Sequence, residues 1–462
     1  MRQSQKTEQA DRQRKIGLED QRQAGARRMA SGENTMMSGI QFQDLVLDRN
    51  NLNQAFLRVR GNKGAAGLDG MTIEDLRPYL DKHKDEIRAS LADGSYKPMP
   101  VKRVEIPKPN GGVRKLGIPT VVDRLIQQAV AQVLSPVFEQ IFSDNSFGFR
   151  PHRSCADAIA RTVALYNEGY HYVVDLDLKA YFDTVNHDML MKFLERQIDD
   201  RWTLRLIRRF LTSGTMNGKM FERSEQGTPQ GGPISPLLAN IYLNELDKEL
   251  TRRGHQFVRY ADDCNIFVKS QRAGERVLAS ITRFLEKELK LTVNQEKTKV
   301  VPAAKMKFLG FTLGVNKYGA YPQVARQSKE RVKQALKAMT KRSRGISLEN
   351  MVNQIERKMR GWLQYYGIAG MKTFITNLDK WLRSRIRQFI WKQWKKTKTR
   401  ITNLKRLGLS SEVAYAVANT RKGYWRIAHS KTLTYTLTND RLKGLGLINL
   451  SETLRKIQYK NA

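Results

Sequence analysis

The spacing of apolar residues predicts helices at the start of the folded part of the chain. Helical spacing runs from Asp44 to Leu91 and breaks at GNKGAAGLDG (61–70), where four glycines within ten residues indicate a loop. Residues 101–120 alternate and turn at Asn110, which predicts a β-hairpin. An amphipathic helix is expected to follow, from Asp123 to about Phe142.

The middle of the chain alternates predicted strands and helices. With an inserted loop and helix set aside, their order is β-α-β-β-α-β, that of a split ferredoxin-like unit. This unit would bring the end of its first strand beside its central hairpin. The predicted elements are the strand 172–178, the helix from Asn186, the Gly/Pro loop 227–236 with the helix after it, the hairpin 257–268, the helix 272–290 and the strand 298–302.

Beyond MKFLGF (306–311) the pattern becomes helical and basic. We expect helices over roughly 326–343, 347–366 and 371–395, and shorter helices and turns over 396–462. Residues 1–38 are polar, rich in Gln and Arg and without sustained periodicity, which predicts a flexible or marginally helical arm.

Two adjacent aspartates interrupt the apolar runs of FVRYADDCNIFV (257–268). Neighbouring strand residues point to opposite faces, so both carboxylates reach one cavity only if the chain turns at them. The pattern therefore predicts a strand Phe257–Tyr260, a tight turn at Ala261–Asp262 and a strand Cys264–Val268. Aspartate is also common in solvated turns, so the pair alone leaves its role open.

The charge of the chain narrows its possible partners. The net charge is +37, from 82 Lys+Arg against 45 Asp+Glu, and +25 of it falls in residues 321–462. A folded protein this basic favours polyanions, above all nucleic acid. A membrane surface is the competitor, but no apolar run is long enough to span a bilayer. The two cysteines, Cys155 and Cys264, form no CxxC pair, which argues against a zinc site and favours a reducing cytoplasm.

The acidic residues of the predicted sheet suggest a metal site. Asp175 and Asp177 are two apart on one strand and share a face, next to Asp262 and Asp263 in the ferredoxin-like unit. Converging carboxylates repel each other unless divalent cations join them, and Mg²⁺ prefers carboxylates with substrate phosphate oxygens. Two ions about 3.5–4 Å apart would suit nucleotidyl transfer.

At this point the chain resembles a known family. DLDLKAYFDTVNH, FGFRPHRS, EQGTPQGGPISPLLANIYLNELD, FVRYADDCNIFV and MKFLGF occur in the order found in bacterial group II intron reverse transcriptases, also called maturases. The resemblance covers roughly residues 44–462. It implies an α+β right-hand polymerase with fingers, a ferredoxin-like palm, a helical thumb and a small, mostly helical C-terminal DNA-binding domain.

The resemblance also implies domain boundaries. After the arm at 1–38, it places an N-terminal extension with the fingers at 39–170 and the catalytic palm at 171–318. The thumb, or maturase domain X, would take 319–395 and the DNA-binding domain 396–462.

The family pattern assigns the catalytic centre to three aspartates. Asp177 opens D-x-K-x-x-F-D and resembles the first metal ligand, with Asp262 and Asp263 as the other two, holding two Mg²⁺ ions. Asp175 and Asp183 are the competing carboxylates, but solvation or capping of the helix near Asn186 is the favoured explanation of each.

Other matches concern the incoming deoxynucleoside triphosphate. Phe182 resembles the steric gate against a ribose 2′-hydroxyl, with a plain core aromatic as the alternative. Lys108 and Arg114 resemble the cations that hold the triphosphate, and Gln230 the residue near the sugar. Lys102 and Arg103 would either help these cations to bind the triphosphate or simply be solvated. Phe308-Leu309-Gly310 resembles the primer grip.

Basic and aromatic residues near the C-terminus suit phosphate contacts with base stacking, although a solvated charged helix explains any single one nearly as well. The loop at 61–70 resembles one that in relatives helps to bind intron RNA. The DNA-binding candidates are Lys395, Lys396, Arg400, Arg421, Lys422 and Arg426.

The expected function is RNA-templated DNA synthesis with assistance to intron splicing and mobility. The expected partners are an RNA template with its DNA primer, group II intron RNA, target DNA and deoxynucleoside triphosphates, with no membrane, in a bacterial cytoplasm near the nucleoid. Many relatives carry a C-terminal nuclease with Cys and His clusters; His429 is the only late histidine here, so we expect no second-strand cleavage. A stand-alone reverse transcriptase for repair or phage defence and an RNA chaperone with an inactive polymerase domain remain the alternatives.

Overall fold

The computed structural model describes residues 41–107 and 113–460. The described residues form two compact units. The first lies within Met1–Ile141 and Val185–Tyr242, and the second within Phe142–Thr184 and Leu243–Ala462. The predicted arm at 1–38 falls outside the described residues.

Helices and strands are numbered in chain order. As far as β5 they are α1 Phe42–Leu47, α2 Arg49–Gly61, α3 Leu76–Ala92, β1 Val101–Pro107, β2 Val113–Ile118, α4 Val121–Glu139, α5 Cys155–Asn167, β3 Tyr172–Leu176, α6 Tyr181–Thr184, α7 His187–Glu195, α8 Arg201–Thr212, β4 Thr215–Asn217 and β5 Met220–Glu222. Then come α9 Ser235–Arg252, β6 Gln256–Tyr260, β7 Asp263–Val268, α10 Gln271–Lys287, β8 Lys299–Pro302, β9 Phe311–Asn316, β10 Gly319–Val324, α11 Arg326–Met339, α12 Leu348–Tyr366 and α13 Lys372–Gln393. The last are α14 Thr397–Arg406, α15 Ser411–Ala418, α16 Tyr424–Ala428, α17 Lys431–Thr436, α18 Asn439–Gly444 and α19 Leu450–Lys460.

The first unit combines helices with a four-stranded sheet of order β2-β1-β4-β5. The hairpin predicted at 101–120 is confirmed, since β1 and β2 pair antiparallel, and β1 also pairs with β4 in parallel. Helix α4 begins at a Thr120 cap and is buried over most of its length. Arg124 donates from Nη2 to the Ala65 carbonyl at 2.7 Å, which anchors the predicted loop 61–70 to the start of α4.

The second unit contains the predicted ferredoxin-like sheet. Its strand order is β6-β7-β3-β8, and every neighbouring pair is antiparallel. In order along the chain these strands are first β3, then the β6–β7 hairpin, then β8, so the order predicted from the sequence is confirmed. Strand β3 ends at Leu176 rather than at the predicted 178, at the point where the next cross-strand pair would set Asp177 against Asp263.

The basic helices after β10 share one hydrophobic core with the C-terminal helices. Phe389 and Trp391 of α13 belong to the same buried cluster as Leu404, Ile427 and Leu433. The segments 319–395 and 396–462 are therefore packed together, and the boundary between them stays a prediction. None of the helices that the structure describes is long and apolar enough to cross a bilayer.

Candidate active site

The two adjacent aspartates lie at the tip of the β6–β7 hairpin. Tyr260 pairs with Asp263 across a two-residue turn of Ala261 and Asp262, so the predicted turn is confirmed. Ala261 has φ +57°, in the left-handed region that costs a non-glycine residue about 1–2 kcal/mol. The surrounding structure must therefore hold this turn in place.

Strand β3 brings a second pair of carboxylates to the same end of the sheet. Asp175 stands opposite Asn265 of β7, and Leu176 opposite Cys264. Continuing this register by one residue sets Asp177 opposite Asp263. Residues two apart on a strand share a face, so Asp175, Asp177 and Asp263 lie on one side of the sheet.

The carboxylates of this site influence one another electrostatically. The pKa of Asp263 is raised to about 6, first by desolvation and then by the negative charges of Asp262, Asp175 and Asp177. Lys297 opposes this shift. Asp263 is nevertheless exposed to solvent. We therefore attribute the raised pKa of Asp263 mainly to repulsion by the neighbouring aspartates rather than to desolvation.

Asp177 is held by the segment between α10 and β8. Its backbone N–H donates to Thr298 Oγ1 at 3.1 Å, and its Oδ2 accepts from Asn294 Nδ2 at 2.9 Å. Lys297 Nζ lies 3.4 Å from the same oxygen. The sequence analysis missed all three residues, because nothing in their local pattern indicates a partner more than a hundred positions away.

The two competing carboxylates differ in their surroundings. Burial raises the pKa of Asp175, Lys299 lowers it and Asp177 raises it, so Asp175 belongs to the same charged neighbourhood. Asp183 is exposed on α6 and is not among the main causes of the raised pKa of Asp263. Asp175 is therefore the closer competitor for a role at the site.

The donor set fits a divalent cation by its chemistry. All its groups are carboxylates, which Mg²⁺ prefers, and a cation would relieve their mutual repulsion. Among the described residues, no group of three or more His, Cys, Asp or Glu side chains is arranged to hold a metal ion. The Asp177 carboxylate instead faces Asn294 and Lys297.

A fully buried ion pair supports the hairpin tip from inside. Arg259 Nε donates to Asp247 Oδ1 at 2.7 Å, and neither side chain is exposed to solvent. Arg259 Nη1 also donates to the Ala261 carbonyl at 3.0 Å, which fixes the strained turn. A charged residue inside the apolar strand FVRY was the available sequence signal for this role.

The segment FGFR packs against the outer edge of the same turn. Phe147 N donates to the Arg259 carbonyl at 2.8 Å. A Cβ on Gly148 would stand 2.3 Å from the Ala261 nitrogen, so glycine alone fits there. The family motif thus has a packing function that the sequence analysis did not identify.

The predicted nucleotide-contact residues are distributed over both units. Phe182, in the second unit, is half-buried on α6, and its ring centroid lies 5.3 Å from that of Tyr181. Arg114, in the first unit, is exposed on β2, while Lys108 lies outside the described residues. Gln230, also in the first unit, accepts on its carbonyl from Gly117 N at 3.0 Å.

The two assisting cations of the hairpin also differ. Arg103 pairs with Glu222 at 2.9 Å, which ties β1 to β5, whereas Lys102 is exposed. Arg103 therefore has a structural partner within its own sheet.

The predicted primer grip is a tight turn fastened to α12. Leu309 and Gly310 have φ of +51° and +81°, and Phe308 is buried. Tyr365 Oη donates to the Leu309 carbonyl at 3.0 Å, and Cys155 Sγ lies 3.2 Å from the same hydroxyl. The sequence analysis did not identify this contact.

The C-terminal candidate cations fall into two groups: most are exposed to solvent, but Arg400 contacts neighbouring residues of the protein. Arg400 donates to the Trp394 carbonyl at 3.0 Å and lies over the Trp391 ring at 4.7 Å, so its packing role is evident. Arg342 Cζ and Lys392 Nζ lie 4.6 and 5.3 Å from the centroid of the Tyr424 ring. The exposed candidates are Lys395, Lys396, Arg421, Lys422 and Arg426.

Comparison with known proteins gives two family matches. A family model described as reverse transcriptase (RNA-dependent DNA polymerase) matches residues 106–313, and one described as the group II intron maturase-specific domain matches residues 329–408. Protein YkfC of Escherichia coli (strain K12) is 36% identical over 280 residues, covering 52% of this chain and 73% of YkfC.

Two intron proteins are also similar. Group II intron-encoded protein LtrA of Lactococcus lactis subsp. cremoris is 31% identical over 331 residues, covering 57% of this chain and 55% of LtrA. The putative COX1/OXI3 intron 1 protein of Saccharomyces cerevisiae (strain ATCC 204508 / S288c) is 25% identical over 503 residues, covering 91% of this chain and 57% of that protein. The chain thus spans a little over half the length of these two relatives.

Proposed function

The chain belongs to the family of group II intron-encoded reverse transcriptases with a maturase domain, and from that premise we propose that Asp177, Asp262 and Asp263 are its catalytic carboxylates. As a member of this family it is an RNA-directed DNA polymerase that depends on divalent metal. The observation that supports the residue assignment is the end of the β3–β7 register at Leu176 and Cys264, after which Asp177 and Asp263 are the next residues at the hairpin tip. The negative charge of Asp177 also acts on Asp263.

We further propose that the metal is Mg²⁺ and that two ions act. Held by these carboxylates, they would activate the primer 3′-hydroxyl and neutralise charge on the triphosphate. The reaction joins that oxygen to the α-phosphorus of the incoming nucleotide and releases pyrophosphate.

The protein's own contribution is to keep the carboxylates in place. Arg259 donates a hydrogen bond to the Ala261 carbonyl. Gly148 lets the FGFR segment pack closely against the turn. Asn294 and Lys297 orient Asp177 through one of its oxygens. Preorganisation of this kind avoids the cost of arranging these three like charges during the reaction.

Selection of the nucleotide is assigned to the four residues that match the family pattern. We propose that Phe182 excludes a ribose 2′-hydroxyl, which its partial exposure allows, and that Lys108 and Arg114 bind the triphosphate. Gln230, on the Gly/Pro loop 227–236, would contact the sugar.

The proposed partners are an RNA template with its DNA primer, intron RNA and target DNA. The maturase-specific match at 329–408 favours an intron-encoded protein over a stand-alone reverse transcriptase. The exposed cations at 395, 396, 421, 422 and 426 suit target DNA. These nucleic acids would place the protein in the bacterial cytoplasm, at the nucleoid.

The test is primer extension on an RNA template by the purified full chain with Mg²⁺. Changing Asp262 and Asp263 together to Ala should abolish extension, because the metal loses two ligands, while RNA binding and splicing assistance persist. Asp183→Ala is the matched control, because it removes an exposed carboxylate outside the charged cluster. Extension by the double variant at the wild-type rate would refute the assignment.

A further inference from the structure

Helices α12 and α19 of the second unit border a groove remote in sequence from the polymerase motifs. Its volume is about 890 Å³. Its lining contains three cations and no carboxylate. The lining residues are Arg360, Gly361, Gln364, Thr453, Arg455, Lys456, Ile457 and Tyr459.

The walls of the groove are fixed to each other. Gln458 Nε2 donates to the carbonyls of Gly367 and Ala369, at 3.1 and 3.4 Å. A Cβ on Gly367 would stand 2.6 Å from Ile457 Cγ2, so the two helices meet without room for a side chain. The buried Leu454 completes this contact. The shape of the groove is therefore fixed by the packing of α19 against the end of α12.

Gly361 leaves one side of the groove open. It lies inside α12, where glycine is less favourable than alanine. No atom lies within 4 Å of the position that its Cβ would take. Glycine at position 361 therefore lowers the stability of α12 but leaves the groove free of a side chain.

The rim of the groove combines positive charge with an aromatic ring. Arg360 is 65% exposed and is oriented by Glu356 at 2.6 Å, and Lys456 is oriented by Glu452 at 2.9 Å. Arg455 is exposed. Tyr459 is 87% exposed, which leaves its ring open for stacking. Cations beside an exposed aromatic suit a backbone phosphate with an unstacked base.

We propose that this groove binds one unpaired nucleotide of a single-stranded nucleic acid. The base would stack on Tyr459, and the flanking phosphates would contact Arg360, Arg455 and Lys456, the last two of which neighbour Tyr459 on the helix surface. RNA and DNA strands share this chemistry. The site rests on the nucleic-acid partners of the proposed function, but it shares no residue with the polymerase site or with the six C-terminal candidate cations.

Photocrosslinking tests the site in the full chain. The probes are a twelve-nucleotide oligouridylate with one central 4-thiouridine and an oligothymidylate with one central 4-thiothymidine. We expect adducts within residues 450–459, mapped by mass spectrometry, and the stronger probe identifies the strand. Gly361→Phe should lower their yield at least about tenfold, because its ring fills the groove and displaces the stacked base.

A matched glycine controls for added bulk. Gly444 ends α18, is exposed, and likewise has no atom within 4 Å of its Cβ position, so Gly444→Phe should leave the yield unchanged. Tyr459→Ala, at an exposed ring, is a second test that does not depend on folding of the Phe variant and should also reduce the yield. Thermal unfolding midpoints check the fold of each variant.

The inference fails if no adduct maps to 450–459 with either probe, or if both Gly361→Phe and Tyr459→Ala retain the wild-type yield. Primer extension is measured in parallel and should be unchanged in all three variants. A wild-type chain that does not extend a primer would contradict the proposed function, whereas intact extension without groove adducts would overturn only this site.

Discussion

At the residue scale, Arg259 links the stability of the fold to the geometry of the hairpin tip. Its guanidinium binds the buried Asp247 and also donates to the Ala261 carbonyl. Removing one partner of a buried ion pair leaves an uncompensated charge and costs about 3–5 kcal/mol, whereas replacing both partners by apolar groups is often neutral. The two roles of Arg259 can therefore be separated by mutation.

Arg259→Leu should lower the free energy of unfolding by about 3–5 kcal/mol. The double variant Arg259→Leu with Asp247→Leu should recover most of that stability but extend primers more slowly than wild type, because the Ala261 carbonyl has lost the Arg259 donor. Urea unfolding and single-turnover primer extension measure the two effects. Wild-type extension by the double variant would show that Arg259 acts only on stability.

Phe182 offers a test of nucleotide selection. Phe182→Val removes ring bulk at a half-buried position and should admit ribonucleotides, so the ratio of dNTP to rNTP incorporation efficiency should fall at least about tenfold, or about 1.4 kcal/mol. The ratio is measured on one template. The conservative Phe182→Tyr, which keeps the ring, is the control. An unchanged ratio in Phe182→Val would return this residue to a packing role.

At the element scale, α12 holds the primer-grip turn through its last residues. Tyr365 Oη binds the Leu309 carbonyl, and Tyr366 Oη lies 3.1 Å from Ser328 Oγ. A Cβ on Gly310 would stand 2.5 Å from the Tyr366 hydroxyl, so the helix and the turn are in close contact. Movement of α12 would therefore be transmitted to this turn.

Tyr365→Phe should loosen the turn without creating a cavity. We expect KM for the template–primer to rise by about fivefold, in keeping with a net hydrogen-bond contribution of about 1 kcal/mol, while KM for the nucleotide changes little. Steady-state primer extension with either substrate varied measures both constants. Tyr318→Phe removes an exposed hydroxyl and serves as the control. Equal rises in both constants would indicate general loss of structure.

The elements show how far local pattern predicts structure. The turn at Ala261 and Asp262 was predictable because adjacent residues of a strand point to opposite faces, so two neighbouring aspartates reach one cavity only where the chain turns. The partners of Arg259 and Asp177 were not, since they depend on which distant segments pack together. Arg400 looked like a DNA contact for the same reason: its sequence context does not reveal Trp391 beneath it.

At the scale of the whole molecule, the C-terminal helices cannot be treated as a detachable part. Their apolar residues share a core with α13, so truncation near residue 396 would expose Phe389 and Trp391 and test stability instead of binding. Their contribution to nucleic-acid affinity must be measured by changing surface charge while keeping the core. The uneven distribution of the +37 net charge makes this measurable.

Replacing the five exposed C-terminal cations by Gln should weaken binding to target DNA and flatten its salt dependence. Each lost phosphate contact reduces the slope of log affinity against log salt by about 0.9. Primer extension on a preformed RNA–DNA hybrid should change less, because the catalytic carboxylates and the primer-grip turn are intact. Duplex binding and extension are both measured across a salt series. The substituted residues are Lys395, Lys396, Arg421, Lys422 and Arg426.

A charge-matched control distinguishes a binding surface from general attraction. Five exposed cations on and just after α10 are replaced by Gln in a second variant, giving the same change in net charge. If the C-terminal residues contact DNA, only their variant should lose slope, because contacts release counterions whereas distant charges are screened within about 10 Å at 0.1 M salt. Equal losses would show that binding follows net charge alone. The control residues are Arg272, Arg276, Arg283, Lys287 and Lys290.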